Sequence, residues 1–89
     1  MALLDLLGQR WTLRVIWELR AARLTFRALQ DACDGMSPTV LNGRLKALRE
    51  SGLVDQMGNE GYGLTPLGRE LLEVFLPVVE WSKRWARRP

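Results

Sequence analysis

The chain of 89 residues has no histidine and a single cysteine, Cys33. Without histidine neither a zinc cage nor a Ser/His or Cys/His catalytic arrangement can be assembled, so an enzyme, a bound metal and a cofactor are all unexpected. One cysteine cannot close an intramolecular disulfide, and a lone thiol suits a reducing cytoplasm. Long apolar runs are lacking too. None approaches the roughly 18 to 20 residues of a membrane span, and no basic region followed by a long apolar one opens the chain, so a cytoplasmic protein with no membrane contact is expected.

What remains is short, apolar and basic. A chain of 89 residues reads as one domain, residues 1–89, and one that buries only about 60 to 65% of its unfolded surface. Yet 47% of its residues are hydrophobic and four are tryptophan, which points to apolar surface covered by a second copy. The net charge is +3, with eleven of the thirteen cations arginine. Such a balance suits an anionic partner without identifying one.

Helical and turn signals alternate along the chain. Leu3, Leu4, Leu6 and Leu7 predict a short apolar helix that Gly8 ends, and Trp11 to Ala22 a second with Leu13, Ile16, Trp17 and Leu19 at helical spacing. Arg10, Arg14, Arg20 and Arg23 take its remaining face. Leu24-Thr25-Phe26 is short and β-prone, suited to pairing with a later hairpin. Arg27 to Cys33 predicts a compact helix burying Phe26, Leu29 and Cys33. After the Asp34-Gly35-Met36 turn, Ser37 is a good N-cap and Pro38 suits the first helical position. At about 100° per residue, Leu41, Leu45 and Leu48 form one stripe of this helix, while Thr39, Asn42, Gly43, Lys46 and Glu50 fall opposite. Gly52 ends it.

The stretch from Thr25 to Val54 therefore reads as helix-turn-helix, which presents its second helix to the DNA major groove. Leu53 to Gln56 and Tyr62 to Leu64 predict two strands joined through Met57 to Gly61, with Gly58 and Asn59 at the tip of a candidate wing. Thr65-Pro66 repeats the cap-plus-proline device and opens a helix from Leu67 towards Arg88. Pro77 lies on its polar stripe, where a kink rather than a break is expected. The other two thirds of that helix are apolar, more than one small domain easily covers. The fold class expected is mainly α with a small β-hairpin, a winged helix-turn-helix whose terminal helices form a dimer interface through Leu3, Leu7, Leu72, Phe75, Leu76, Val79 and Trp85.

The blocks Leu6 to Leu13, Phe26 to Leu29, Met36 to Leu41, Arg44 to Leu48, Ser51 to Val54, Tyr62 to Gly68 and Glu80-Trp81 together resemble the HxlR-type group of winged helix-turn-helix transcription regulators, related to the MarR family. The resemblance covers nearly the whole chain, and its specificity lies in the joint spacing of the blocks. It implies a dimeric bacterial DNA-binding regulator whose Ser37-to-Glu50 helix reads the major groove. Two departures accompany it. The family often carries a sensing cysteine in an arm ahead of the first helix, whereas Met1 here is almost directly followed by Leu3. The wing is also short, and Met57 to Gly61 holds Glu60 but no Lys or Arg, so base readout is expected to rest on the helix.

The expected base-contacting residues are Ser37, Pro38, Thr39, Asn42, Gly43 and Lys46, with Asn42 suited to a bidentate contact and Gly43 removing bulk. Arg27, Arg44 and Arg49 flank them as phosphate contacts. Cys33, on a core-facing position, reads as a small hydrophobe and not a redox switch. The tryptophans read as core and interface. Lys83, Arg84, Arg87 and Arg88 form a basic tail, which reads either as a DNA contact or as cations placed favourably at a helix C-terminus. The function expected is a homodimeric regulator on double-stranded DNA carrying an imperfect palindrome, with no effector pocket evident. The alternative, motivated by the uncharged wing and short N-terminus, is a winged-helix protein-interaction or dimerisation module without DNA binding.

Overall fold

A computed structural model describes residues 2–89. Five helices and one hairpin follow in order: α1 (Ala2–Leu7), α2 (Thr12–Glu18), α3 (Phe26–Ala32), α4 (Pro38–Glu50), β1 (Val54–Met57), β2 (Gly61–Leu64) and α5 (Pro66–Ala86). The strands are antiparallel, with Asp55 opposite Gly63 and Gln56 opposite Tyr62. Leu24 adds a one-residue third strand, exchanging backbone hydrogen bonds with Tyr62 at 2.9 and 2.8 Å. The result is a winged helix-turn-helix. Its core sits where α2, α3 and α4 meet the hairpin, around Val15, Leu19, Leu29, Leu41, Leu45 and Leu48, each at most 2% exposed.

Turn chemistry at both ends of the hairpin explains its register. A single 3₁₀ turn, Gly58–Glu60, joins the strands. Gly61 then takes φ +85°, and a Cβ there would lie 2.3 Å from the Leu24 carbonyl oxygen. Both the backbone angle and the approach of the third strand therefore require glycine. At the other end the Thr65 hydroxyl donates to the Gly52 carbonyl at 2.6 Å and accepts from the Gly68 N–H at 3.0 Å. One side chain thus fastens the end of α4 to the start of α5.

The second helix is shorter than its periodicity predicts, ending at Glu18 instead of Ala22. Leu24 must reach Tyr62, so residues 20–23 turn the chain back, and pairing with the hairpin outweighs local helical preference. In consequence the four arginines expected along that face separate. Arg14 stays on α2, Arg10 lies ahead of it and stacks on Trp11 at 5.4 Å, Arg20 stacks on Trp17 at 3.9 Å, and Arg23 leaves for the hairpin.

Helix α5 opens with Pro66 at its first position and runs unbroken through Pro77. Its first half packs on the core through Leu72, which is only 8% exposed. That burial removes Leu72 from the expected dimer interface, because its surface is already covered within the chain. Beyond it much of the helix is exposed, with Val74 71%, Trp81 53% and Trp85 51% exposed. Leu3 and Leu76 are also exposed, while Leu7, Phe75 and Val79 are half-buried. Trp11 and Trp17 are half-buried against the core. No helix among the described residues is long and apolar enough to cross a membrane.

Candidate nucleic-acid interface

The connection between α3 and α4 is held by several local hydrogen bonds. The Thr25 hydroxyl caps α3 by accepting the Ala28 N–H at 3.2 Å. After α3, Asp34 and Gly35 both adopt left-handed backbone, with φ +60° and +71°. Asp and Gly are among the residues that tolerate this. The Gly35 N–H returns to the Gln30 carbonyl at 2.9 Å, and the Gln30 amide donates to the Met36 carbonyl at 2.9 Å. Met36 is buried beneath the turn, and Ser37 caps α4 through the Val40 N–H at 3.4 Å. Arg14 closes the arrangement from α2: it donates to the Ala32 carbonyl at 2.9 Å and lies 3.6 Å from both Glu18 and Asp34. The angle between α3 and α4 is thereby tied to the body of the molecule.

Helix α4 divides as its periodicity predicts. Leu41, Leu45 and Leu48 are buried, and Ser37, Pro38, Thr39, Asn42, Gly43, Lys46, Arg49 and Glu50 are all exposed. A Cβ at Gly43 would meet nothing within 4 Å. The exposed arc is therefore small-profiled in its first two turns and cationic in its third. Asn42 and Thr39 offer the donor and acceptor atoms that base edges recognise.

The three arginines expected at phosphates fall in different settings. Arg27 and Arg49 are exposed, and their side chains have no hydrogen-bond or ion-pair partner among the described residues. Arg44 is half-buried, and its Nε donates to the Arg10 carbonyl at 2.6 Å. On the helical wheel it lies about 140° from Arg49, on the flank facing α2. It braces α4 against the α1–α2 junction and leaves only its terminal amino groups for another partner. At the hairpin tip Gly58 and Asn59 are exposed beside Glu60 and a 53% exposed Met57.

Two arginines that the sequence reads only as part of a helix face prove structural organisers of this face. Arg14 was legible only as one of four cations on a helix. Arg23 reaches across the hairpin, donating to the Gly61 carbonyl at 3.0 Å and pairing with Asp55. The β-prone Leu24 held the available signal, since a residue next to a strand that pairs with Tyr62 must lie close to Gly63.

Cys33 is fully buried, and loss of water raises its thiol pKa above the ordinary 9.0. Arg14 opposes that shift while Glu18 and Asp34 reinforce it. The thiol is thus held protonated, the opposite of what a reactive cysteine requires. Among the described residues no group of three His, Cys, Asp or Glu side chains is placed to hold a metal ion.

Comparison with known proteins agrees with this architecture. A profile of the HxlR-like helix-turn-helix family matches residues 6–89. An HTH-type transcriptional regulator of Methanocaldococcus jannaschii is 28% identical over 96% of this chain and 83% of its own length. Another, from Mycobacterium tuberculosis, is 32% identical over 97% of this chain, which spans 58% of that relative. Among solved structures, a possible HxlR family transcriptional factor from Thermoplasma volcanium superposes with a TM-score of 0.87 at 29% identity, covering 96% of this chain and 82% of the other. Quinone-bound YodB from Bacillus subtilis gives 0.84 at 27% identity, with 93% of each chain covered.

Proposed function

The chain belongs to the HxlR-like helix-turn-helix family of DNA-binding transcriptional regulators, and from that premise we propose that it acts as a homodimer whose two α4 helices read the half-sites of an imperfect palindrome. Thr39, Asn42, Gly43 and Lys46 would face base edges, with Ser37 and Pro38 bringing the start of α4 into the groove. Arg27, Arg49 and the free amino groups of Arg44 would hold the flanking phosphates.

The observation that carries this reading is the division of α4: three leucines anchor it in the core while every polar residue of its opposite arc stands free. A helix so anchored presents a preformed surface, which loses little conformational entropy on binding. The dimer is supported by the bare apolar surface of α5 and by exposed Leu3 on α1. Two-fold symmetry then implies half-sites about one helical turn apart, roughly 34 to 36 Å.

A genome-wide DNA-binding profile tests the proposal. The expected result is a small set of sites sharing two inverted half-sites whose centres are about 10 bp apart. Diffuse occupancy without a shared motif would leave the sequence-reading role of α4 without support.

A further inference from the structure

Helix α4 and strand β1 form the two walls of an open cleft of about 570 Å³. One wall carries Lys46, Arg49 and Glu50; the other carries Val54, Asp55 and Gln56. Lys46 and Arg49 stand three residues apart on one face of α4, exposed and without partners among the described residues. The arginines of α2 and of the turn after it are differently employed: Arg14 and Arg23 pair with carboxylates, and Arg20 stacks on Trp17. Cations with no internal partner on this side of the molecule thus gather at the cleft and at Arg27.

Two carboxylates share the cleft, and taken alone they cancel its two cations. Arg23 changes that balance. It comes from behind the hairpin, lies against Gly63 so closely that a Cβ there would meet its side chain at 2.8 Å, and pairs with Asp55. The Asp55 charge is compensated from outside the cleft, which is left with a net positive charge. The hairpin tip, by contrast, has only the negative charge of Glu60 to offer DNA. Gln56, exposed on β1 next to Asp55, supplies an amide donor on the hairpin's side of the cleft.

We propose that the cleft between α4 and β1 seats one phosphate of the DNA backbone, held by Arg49 and the Gln56 amide, and that Arg23 acts as a positioning residue by neutralising Asp55 and fixing β1. The flank of the hairpin, rather than its tip, is then the second point of attachment to DNA. This inference rests on the DNA-binding reading and adds to it a contact the short wing would otherwise not provide. A backbone phosphate carries no sequence information, so the contact strengthens binding to all duplexes alike.

Fluorescence anisotropy with the promoter duplex and a shuffled duplex tests it on the full chain and four variants. Arg23→Gln is expected to weaken binding to both duplexes by about tenfold, through exposure of the Asp55 charge to the phosphate. Adding Asp55→Asn to it should restore most of the loss, which a purely structural role for Arg23 would not permit. Asp55→Asn alone should bind both duplexes about threefold more tightly, and Gln56→Ala, with unchanged thermal melting, about threefold more weakly. Wild-type affinity in Arg23→Gln, or a double variant no better than it, overturns the proposal. If Arg23→Gln fails to fold, Asp55→Asn and Gln56→Ala decide: unchanged affinity in both overturns it. A wild type that binds neither duplex removes the DNA-binding reading itself, whereas a wild type that binds while every variant matches it removes only the cleft.

Discussion

At Gly43 the demands of folding and of DNA recognition are expected to pull in opposite directions. Glycine inside a helix is destabilising relative to alanine by roughly 0.5 to 1 kcal/mol, and here a Cβ would meet no neighbour. Gly43→Ala should therefore raise the unfolding free energy in urea by that amount while lowering operator affinity, because the added methyl would stand where the helix is proposed to approach the bases. A variant more stable and equally tight on DNA would show that Gly43 does not face the groove. Cys33 yields a second residue-scale prediction through its buried thiol. The unfolded chain releases the thiol proton near the ordinary 9.0, whereas the folded chain retains it to higher pH. Stability from this group is thus complete below about pH 9 and declines as pH rises through the raised folded value. Alkylation of Cys33 at neutral pH should be slow until the protein is unfolded, and rapid labelling of the native protein would contradict the burial.

Among the elements, α4 and α5 begin with the same device but differ in what it holds. Ser37 makes one long cap bond at 3.4 Å, whereas Thr65 caps α5 at 3.0 Å and also donates to Gly52 at 2.6 Å. Thr65→Ala should therefore cost about 1 to 2 kcal/mol, and Ser37→Ala nearer 0.5 kcal/mol, in chemical denaturation. Equal losses would imply that the Gly52 link contributes nothing. Both helix starts were legible in the sequence because a cap followed by proline acts locally, and the leucine stripe of α4 was legible because its period matches the helix. The end of α2 was not. Nothing local distinguishes Arg20 to Arg23 from a helix, and only the distant Tyr62 draws the chain out of it. The same limit applies to the site: the exposed arc of α4 follows from period alone, while Arg44's bond to Arg10 and Arg23's pairing with Asp55 join residues more than thirty positions apart. The sequence places Leu72 at the interface because a helix that is two thirds apolar does not reveal which part of that surface its own core claims.

For the molecule as a whole, the exposed apolar surface of α5 from Val74 onward is the dominant uncovered surface. Trp81, Trp85, Val74 and Val78 are each about half exposed or more, a concentration rarely left to water. If a second copy covers it, Trp85→Glu or Leu76→Glu should convert a dimer to a monomer in sedimentation at micromolar concentration, with the hairpin and α4 still folded. A wild type already monomeric there would refute the assembly. In the proposed dimer two half-sites bound together would gain affinity from effective concentration. The central claim, that the free arc of α4 reads sequence, is tested most directly by one titration: wild type and Asn42→Ala against the operator and a shuffled duplex at physiological salt. The wild type should prefer the operator by about 10³-fold or more, and Asn42→Ala should lose about 1 to 3 kcal/mol of that preference per half-site with little change on shuffled DNA. Equal affinity of the wild type for both duplexes, or an Asn42→Ala variant that keeps the full preference, would contradict it.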